Sequence, residues 1–270
     1  MKVWMLGSGS RGNAVLLESA GARVLIDAGF PARVMSERLA AIGVARESIS
    51  AVLVTHEHQD HVSGVTAGAK RWGWSVHATT GTIAACPALA DTARPFTAGA
   101  TLELEEFSIA SVPTSHDAAD PVAFVATARR SGARAGVVYD LGHVSTRVRG
   151  ALTDLDILVL EANHDEGMLR AGPYPPSVRQ RIAGPRGHLG NRAAAELARH
   201  CAHSKLAHVV LAHLSDSCND PALATRTVNG ALARTRWRGA LHAAPQHGIV
   251  GPLVPSGRRA RSAIQLALPF

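Results

Sequence analysis

The chain has 270 residues, of which 46% are hydrophobic and 18% are charged, so it can bury a sizeable core and is not a disordered protein. No apolar run reaches the roughly 20 residues that a membrane span requires, and residues 1–6 are too short for a signal peptide. Three scattered cysteines predict a reducing, cytoplasmic location. The net charge of +7 predicts attraction to polyanions, although an arginine-rich proteome would give the same balance.

The first elements alternate short apolar runs with glycine turns. This pattern predicts a β-meander with strands at residues 3–6, 14–18 and 24–27. Helical spacing of Val34, Leu39 and Ile42 follows within residues 31–42. Residues 51–55 then predict a fully apolar, buried strand that ends at His56.

The second half repeats this alternation. Apolar runs predict paired strands within 102–112 and single strands at 122–128, 136–139, 156–160 and 207–212. Helices are predicted at 191–201 and 221–234. Because strands dominate both halves and helices intervene, we expect two packed sheets with helices outside, in one domain over residues 1–254. Residues 255–270 are small and basic and predict a flexible tail.

The highest density of possible metal ligands directly follows the predicted strand 51–55. Four of them, His56, His58, Asp60 and His61, lie within the six residues 56–61. Residues two apart in an extended segment point the same way, so His56 and His58 can share one ion. A turn into a helix at Asp60 would bring its carboxylate and His61 to the same cavity. Imidazole and carboxylate ligands suit Zn²⁺, Mn²⁺ or Fe²⁺, so the motif predicts a metal site without selecting the metal.

His-x-His-x-Asp-His after a strand resembles the signature of the metallo-β-lactamase superfamily, and further motifs of that family follow in order. Asp27, in Ile26-Asp27-Ala28-Gly29, resembles the aspartate that supports the metal loop without binding an ion. His116, Asp140 and His213 each follow an apolar run and resemble the later motifs. The resemblance implies an α/β fold, the four-layer αββα sandwich of that superfamily.

Two divalent metal ions are implied by the same resemblance. The ligands it implies are His56, His58 and His116 for one ion, Asp60, His61 and His213 for the other, and Asp140 as a bridge. Metal coordination brings the pKa of a bound water towards about 7, which would provide the nucleophile. Taken singly, His116 and His213 would be hydrogen-bonded structural residues, and Asp27 an ordinary turn residue.

More specific motifs resemble the YycJ (WalJ) branch of the superfamily, over about residues 3–250. They include Gly7-Ser8-Gly9-Ser10-Arg11-Gly12-Asn13, Glu161-Ala162-Asn163-His164-Asp165 and Gly187-His188-Leu189-Gly190-Asn191. The resemblance implies a phosphodiesterase that acts as a 5′→3′ exonuclease on the 5′ ends of DNA, in replication or repair. Since the branch is related to ribonuclease Z and to PhnP-type enzymes, RNA processing or cleavage of a small, cyclic diester stays open, and a thioesterase is less favoured.

The predicted catalytic set is His188, Asp60 and Glu161. By resemblance, His188 lies beside the metals and contacts the scissile phosphate or protonates the leaving oxygen, while Glu161 orients it. The alternative is that His188 only caps the following helix; Gly190 also departs from the serine or threonine of relatives. A tentative phosphate-binding set is Ser8, Ser10, Arg11 and Asn13, for which a structural glycine turn is an equal alternative.

The last six residues, 265–270, resemble the Gln-Leu-x-Leu-x-Phe peptide with which bacterial proteins bind the β sliding clamp. Gln265, Leu266, Leu268 and Phe270 are the predicted contacts, with the apolar side chains filling a cleft. A final strand that covers the sheet is the alternative. The oligomeric state is not determined by the sequence.

Overall fold

The structure is a computed structural model. It describes residues 1–255 and the backbone of residues 264–267. The strands of this part of the chain, in order, are β1 (Lys2–Gly7), β2 (Ala14–Ser19), β3 (Ala22–Ile26), β4 (Ala51–Leu53), β5 (Ser75–Thr79), β6 (Ala93–Phe96), β7 (Thr101–Leu104), β8 (Phe107–Pro113), β9 (Val122–Ala128), β10 (Arg134–Val138), β11 (Ile157–Glu161), β12 (His208–Ala212), β13 (Ala240–Ala243), β14 (Gly248–Leu253) and β15 (Ile264–Ala267).

The helices of the same residues are shorter and lie between the strands. They are α1 (Ala32–Ala41), α2 (Gln59–Val62), α3 (Val65–Trp72), α4 (Thr80–Ala85), α5 (Thr146–Ala151), α6 (Glu166–Ala171), α7 (Pro176–Ile182), α8 (Asn191–Cys201) and α9 (Pro221–Leu232), with short 3-10 helices at Arg46–Ser48 and Pro87–Leu89. None of these helices is long and apolar enough to cross a membrane.

The strands form two sheets. The first has the order β15-β14-β1-β2-β3-β4-β5-β6, and the second has the order β13-β12-β11-β10-β9-β8-β7. Both sheets change from antiparallel to parallel pairing at one strand, which is β3 in the first and β10 in the second. Loops that follow the parallel strands of a sheet emerge at the same edge, which is where the functional side chains collect.

The two faces of each sheet pack in different layers. In β1, Val3 and Met5 lie between the sheets, whereas Trp4 and Leu6 pack under the outer helices α1 and α3. The second sheet follows the same period of two, with Val159 in the shared core and its neighbours under α5, α8 and α9. Strand alternation therefore builds a helix–sheet–sheet–helix sandwich, and the predicted αββα fold is confirmed.

Strands and helices with long apolar runs agree with their predicted positions; β9 and α8 have the predicted bounds. Several short elements were not predicted, including α3 to α7, β5, β6 and β13. They carry few apolar residues and are held by their neighbours in the fold, as in β6, where all four residues are at least partly exposed. The secondary structure of such segments depends on their contacts with neighbouring elements in the fold.

Part of the predicted tail lies in the first sheet. The backbone of β15 pairs with β14, with Gln265 opposite Val250 and Leu266 opposite Ile249. This is the alternative of a final strand, and it applies to Ile264–Ala267. Leu268 and Phe270, the other two predicted clamp contacts, lie outside the described residues.

Candidate metal centre

The motif loop leaves β4 in extended form and enters α2 directly after His58. Asp60 and His61 therefore lie in the first turn of a helix, as the sequence predicted. Backbone hydrogen bonds from other segments hold the loop in place. The Asn13 N–H donates to the Asp60 carbonyl at 2.8 Å, and the Ala28 N–H donates to the His61 carbonyl at 3.0 Å. A Cβ at Gly29 would lie 1.7 Å from the Asp60 oxygen, so only glycine permits this close contact.

All seven predicted ligands converge on one buried cavity. Within the described residues, ligand atoms lie within 4.8 Å of one another in four groups: His56, His58 and His116; Asp60, His61 and His213; His56, His61 and Asp140; and Asp140, Glu161, His188 and His213. The first two groups are the two predicted sets. Asp140 belongs to two of the groups, so it lies where a carboxylate could serve both sets.

The cavity fits a cation by an independent criterion, a buried polar atom that lacks a hydrogen-bond partner. His56 Nε2 is buried without such a partner in the described part of the chain, and Asp140 Oδ2 makes no hydrogen bond of regular geometry, with the His61 ring nitrogen 2.9 Å away. A buried polar atom left in this way costs about 1–3 kcal/mol. Imidazole nitrogen and carboxylate oxygen are the donors that divalent transition metals accept, so the residues present fit divalent metal ions.

Asp27 supports the loop from below and is completely buried. Its carboxylate accepts hydrogen bonds from the Thr55 backbone N–H at 2.8 Å, from the Tyr139 hydroxyl at 2.8 Å and from His61 Nδ1 at 2.7 Å. Because Nδ1 of His61 donates to Asp27, its Nε2 is left for the cavity, where it lies 2.9 Å from Asp140 Oδ2. Asp27 thus fixes the orientation of His61, one of the predicted ligands.

The histidines of the second sheet are oriented in the same manner. His116 places Nδ1 3.0 Å from the Gly187 carbonyl, which directs Nε2 towards His58. His213 lies 3.2 Å through Nε2 from Asp60 Oδ2 and 3.3 Å through Nδ1 from Glu161 Oε1, and its carbonyl accepts from the Asn163 amide at 3.0 Å. Each ring has one nitrogen held by the protein and one directed at the cavity.

His188 and Glu161 form the hydrogen bond that the sequence predicted. His188 Nδ1 lies 2.7 Å from Glu161 Oε1, and the other Glu161 oxygen accepts from the backbone N–H groups of Leu141 and Leu189. Gly190 is the residue before α8, and this helix has no side-chain cap, so His188 does not serve as one. The carboxylate of Glu161 therefore fixes His188 at the edge of the cavity.

The charges of the site are strongly coupled. Burial opposes ionisation of Asp60 and Asp140, but the neighbouring histidines outweigh it and hold the pKa of both carboxyls well below the usual range. Burial likewise opposes protonation of His213 and His188, yet Asp140 and Glu161 raise the pKa of these rings to about 9 and about 11. A divalent cation would displace protons from its ligands in such a site.

Two histidines of the first predicted ligand set have lowered pKa values instead. Burial lowers the pKa of His56 well below its ordinary value, and burial also lowers the pKa of His116. Both rings are therefore neutral near pH 7. Neutral imidazole is the form that binds a metal.

The predicted phosphate-binding loop divides into inward and outward residues. Ser8 donates to Asn13 Oδ1 at 2.9 Å and accepts from the His213 backbone N–H at 2.8 Å, while the Asn13 amide donates to Asp60 Oδ2 at 3.2 Å. Ser8 and Asn13 thus follow the structural alternative. Ser10 and Arg11 are exposed, and Arg11 lies 3.6 Å from Asp216; phosphate binding by these two stays a prediction.

Several contributors were not singled out from the sequence. Thr55 and Tyr139 bind Asp27, Asn163 binds the His213 carbonyl, and Arg186 donates to the His116 carbonyl at 3.1 Å. Thr55 and Tyr139 directly precede His56 and Asp140, and this adjacency is the signal that could have identified them. Arg186 has no such signal, because its contact spans 70 positions.

Known proteins agree with this geometry. The sequence profile of the metallo-beta-lactamase superfamily matches residues 7–159. The chain is 32% identical over 240 residues to Exodeoxyribonuclease WalJ of Streptococcus pneumoniae serotype 2 (strain D39 / NCTC 7466), covering 86% of this chain and 88% of the relative. It is 31% identical over 233 residues to Exodeoxyribonuclease YycJ of Bacillus anthracis, covering 84% and 88%.

A solved structure shows the same fold. The metallo-beta-lactamase fold protein YhfI from Bacillus subtilis matches with a TM-score of 0.70 at 17% identity, over 92% of this chain and 98% of YhfI. Profile, sequence relatives and fold thus agree with the ligand geometry. The chain belongs to the metallo-β-lactamase superfamily and, within it, to the family of WalJ and YycJ.

Proposed function

We propose that this chain is a cytoplasmic, metal-dependent exonuclease that degrades DNA from the 5′ end in replication or repair. The observation that carries the proposal is the joint convergence of seven His and Asp side chains with a glutamate-bound histidine, His188, at the edge of their cavity. The similarity to two exodeoxyribonucleases over more than four fifths of the chain supports DNA as the substrate.

Two divalent ions, Zn²⁺, Mn²⁺ or Fe²⁺, complete the proposal. His56, His58 and His116 would hold one ion, Asp60, His61 and His213 the other, and Asp140 would contact both. When bound, such ions supply Lewis acidity to a phosphodiester and an activated water as nucleophile.

The protein's own residues position and protonate the substrate. His188 holds its Nδ1 proton against Glu161, which leaves Nε2 for the substrate. A proton on Nε2 would pass to the oxygen that leaves when the phosphodiester is cleaved. Glu161 is a positioning residue, because its two oxygens are occupied by His188, Leu141 and Leu189.

The decisive experiment is a nuclease assay in Mn²⁺ or Zn²⁺. Duplex DNA, single-stranded DNA and RNA, each labelled at either end, are compared, with Asp60→Ala plus His61→Ala as the inactive control. Stepwise shortening of DNA from the 5′ end by the wild type alone is the expected result. Shortening from the 3′ end would overturn the polarity and leave the DNA substrate standing.

The alternative is a phosphodiesterase for RNA or for a small diester, which would use the same ligands. It predicts cleavage of RNA, or of bis-p-nitrophenyl phosphate alone, with intact DNA. That outcome would remove the exonuclease proposal and retain the metal centre. Turnover of thioesters with indifference to every phosphodiester would instead indicate the thioesterase chemistry found on this fold.

For the end of the chain we propose a tail beyond the hydrolase domain of residues 1–254, in which Gln265, Leu266, Leu268 and Phe270 bind the β sliding clamp. The pairing of β15 with β14 at a sheet edge means that the peptide would leave the sheet to bind. The test is a pull-down with purified clamp, comparing wild type with Leu268→Ala plus Phe270→Ala. Equal retention of both proteins would contradict clamp binding.

A further inference from the structure

The segment between β11 and α8 contributes a surface that the metal centre does not explain. It contains α6 and α7, and α7 has no buried residue. A helix without buried side chains adds little to the hydrophobic core, so packing does not account for its sequence. Residues 162–190 contain four arginines against two acidic residues, Asp165 and Glu166. The segment is therefore basic in a place where the core makes no demand for charge.

The four arginines lie on two sides of α7, with Arg170 and Arg179 at one cavity and Arg181 and Arg186 at another, and we name them the arginine strip. Arg181 and Arg186 line a groove of about 400 Å³ with Asp117, the neighbour of His116. Arg170 and Arg179 line a second cavity of about 490 Å³ with His164 and Glu166. Both cavities contact α7, so the strip connects them.

The strip is tied rigidly to the metal centre at one end. Arg186 donates through Nε to the His116 carbonyl at 3.1 Å, and the Ser115 hydroxyl donates to the Pro185 carbonyl at 2.7 Å. The backbone N–H of His188 donates to the carbonyl of Ile182, the last residue of α7, at 2.8 Å. A molecule that reaches from His188 along α7 therefore meets a fixed surface.

The outer arginines are available for a ligand. Arg181 is 71% exposed and its ion pair with Asp117 spans 3.8 Å, a separation and exposure at which a pair contributes little. The side chain of Arg170 is exposed and makes no hydrogen bond or ion pair with the residues that the structure describes. Guanidinium groups that are unpaired or weakly paired, as in Arg170 and Arg181, can bind phosphates with paired N–H groups.

We propose that the arginine strip binds the phosphate backbone of the nucleic acid strand whose end occupies the metal centre. This inference rests on the proposed function and adds the path that the strand takes outside the cavity. A helix of seven residues is about 10 Å long, so a strand that crosses it places more than one phosphate near these arginines. The surface recognises charge and spacing, so the contact is independent of base sequence.

The test compares two variants that each remove two arginines. Arg170→Ala plus Arg181→Ala removes the exposed charges of the strip. Arg129→Ala plus Arg130→Ala is the matched control, because these arginines lie in the turn after β9, at the end of the sheet opposite the metal centre, and pair with Glu103 and Glu106. Binding of a fluorescent duplex with a 5′ single-stranded overhang is measured by anisotropy in EDTA, from 50 to 300 mM salt.

The strip variant is expected to bind about tenfold more weakly at moderate salt, and the slope of log Kd against log salt is expected to fall by about 1.4–1.8 for two lost phosphate contacts. The control is expected to match the wild type. Arg170→Lys plus Arg181→Lys should restore the slope, because lysine keeps the charge. A misfolded strip variant would not be rescued in this way. Equal Kd and slope for strip variant and control would overturn the inference.

Hydrolysis of bis-p-nitrophenyl phosphate separates this inference from the proposed function. The diester is too small to reach α7, so any loss with the strip variant should be at least tenfold smaller than the loss on DNA. If the wild type hydrolyses this diester and neither binds nor degrades DNA, the proposed function fails and the inference falls with it. If the wild type degrades DNA and the strip variant does so equally at all salt concentrations, the inference alone fails.

Discussion

The two strands at which the sheets change from antiparallel to parallel pairing are each followed by a buried aspartate, Asp27 after β3 and Asp140 after β10. Both residues have a left-handed backbone, with φ of 58° and 53°. Asp27 is satisfied by Thr55, His61 and Tyr139, whereas among the described residues Asp140 Oδ2 makes no hydrogen bond of regular geometry and has only a ring nitrogen of His61 near it. The same topological position thus holds a structural carboxylate in one sheet and a ligand-like one in the other.

The difference lies in the neighbours and not in the residue. Around Asp27, a backbone N–H and a phenol hydroxyl donate hydrogen bonds that need no cation. Around Asp140, the near atoms are the ring nitrogens of His61, His188 and His213, at 2.9–3.2 Å. An aspartate surrounded by donors stabilises the fold, while an aspartate surrounded by imidazoles shares a cation with them.

The largest effect is expected from Asp140→Asn, which keeps the side-chain shape and tolerates the left-handed backbone. The carboxylate that serves both ligand sets is lost, so kcat/KM for bis-p-nitrophenyl phosphate should fall about 10³-fold, or about 4 kcal/mol. Metal content, measured by mass spectrometry, should fall with it. The melting temperature in EDTA should stay within a few degrees of the wild type. Full activity with full metal content would contradict the assignment of Asp140 as a ligand.

The same substitution at the matched position, Asp27→Asn, is expected to act on stability. It replaces an acceptor of four hydrogen bonds, from the Thr55 N–H and hydroxyl, His61 and Tyr139, by an amide that can accept fewer of them. Urea unfolding in EDTA should therefore show a loss of about 2–3 kcal/mol, where Asp140→Asn shows little. If both variants lose the same stability, the contrast between the two aspartates does not hold.

A smaller effect is expected from Glu161→Gln, which weakens the positioning of His188. Loss of a partner that orients a functional group typically costs 10–100-fold, so kcat should fall by about that factor. A double-mutant cycle with His188→Ala tests whether Glu161 acts on catalysis through His188. If Glu161 acts through His188, the double variant should be no slower than His188→Ala alone, and additive losses would show an independent action.

The smallest effect is expected from Asn13→Ala, in the loop that joins the two halves. Asn13 and Ser8 connect Asp60 to the backbone of His213. Removing the amide should weaken the ion held by Asp60, His61 and His213 about tenfold and leave the other ion bound. Titration with a chelator and metal analysis measure the two sites. Asn229→Ala, at an exposed position of α9, is the control; loss of both ions together would contradict a selective action.

What could be predicted from the sequence had a local cause. His56, His58, Asp60 and His61 share one loop, so their proximity follows from chain geometry, and the αββα layers follow from the alternation of apolar residues in strands such as β1 and β9. The bounds of β9 and α8 were predictable because their apolar patterns are long. Short segments such as β6 lack this pattern, so they become strands only because they pair with a neighbouring strand.

Contacts between residues distant in sequence were decided by the tertiary structure alone. The sequence contained Ser8 and Asn13 but could not show that they point inward to hold His213 and Asp60, since those contacts span 205 and 47 positions. Nor could it show that Asp27 and Asp140 have opposite surroundings, or that Arg186 binds the His116 carbonyl beside α7. The sequence by itself determined which candidate ligands are available and which layers form, because both depend on local spacing. The packing of the two sheets decided which of those residues meet, because hydrogen-bond partners are set by position in space.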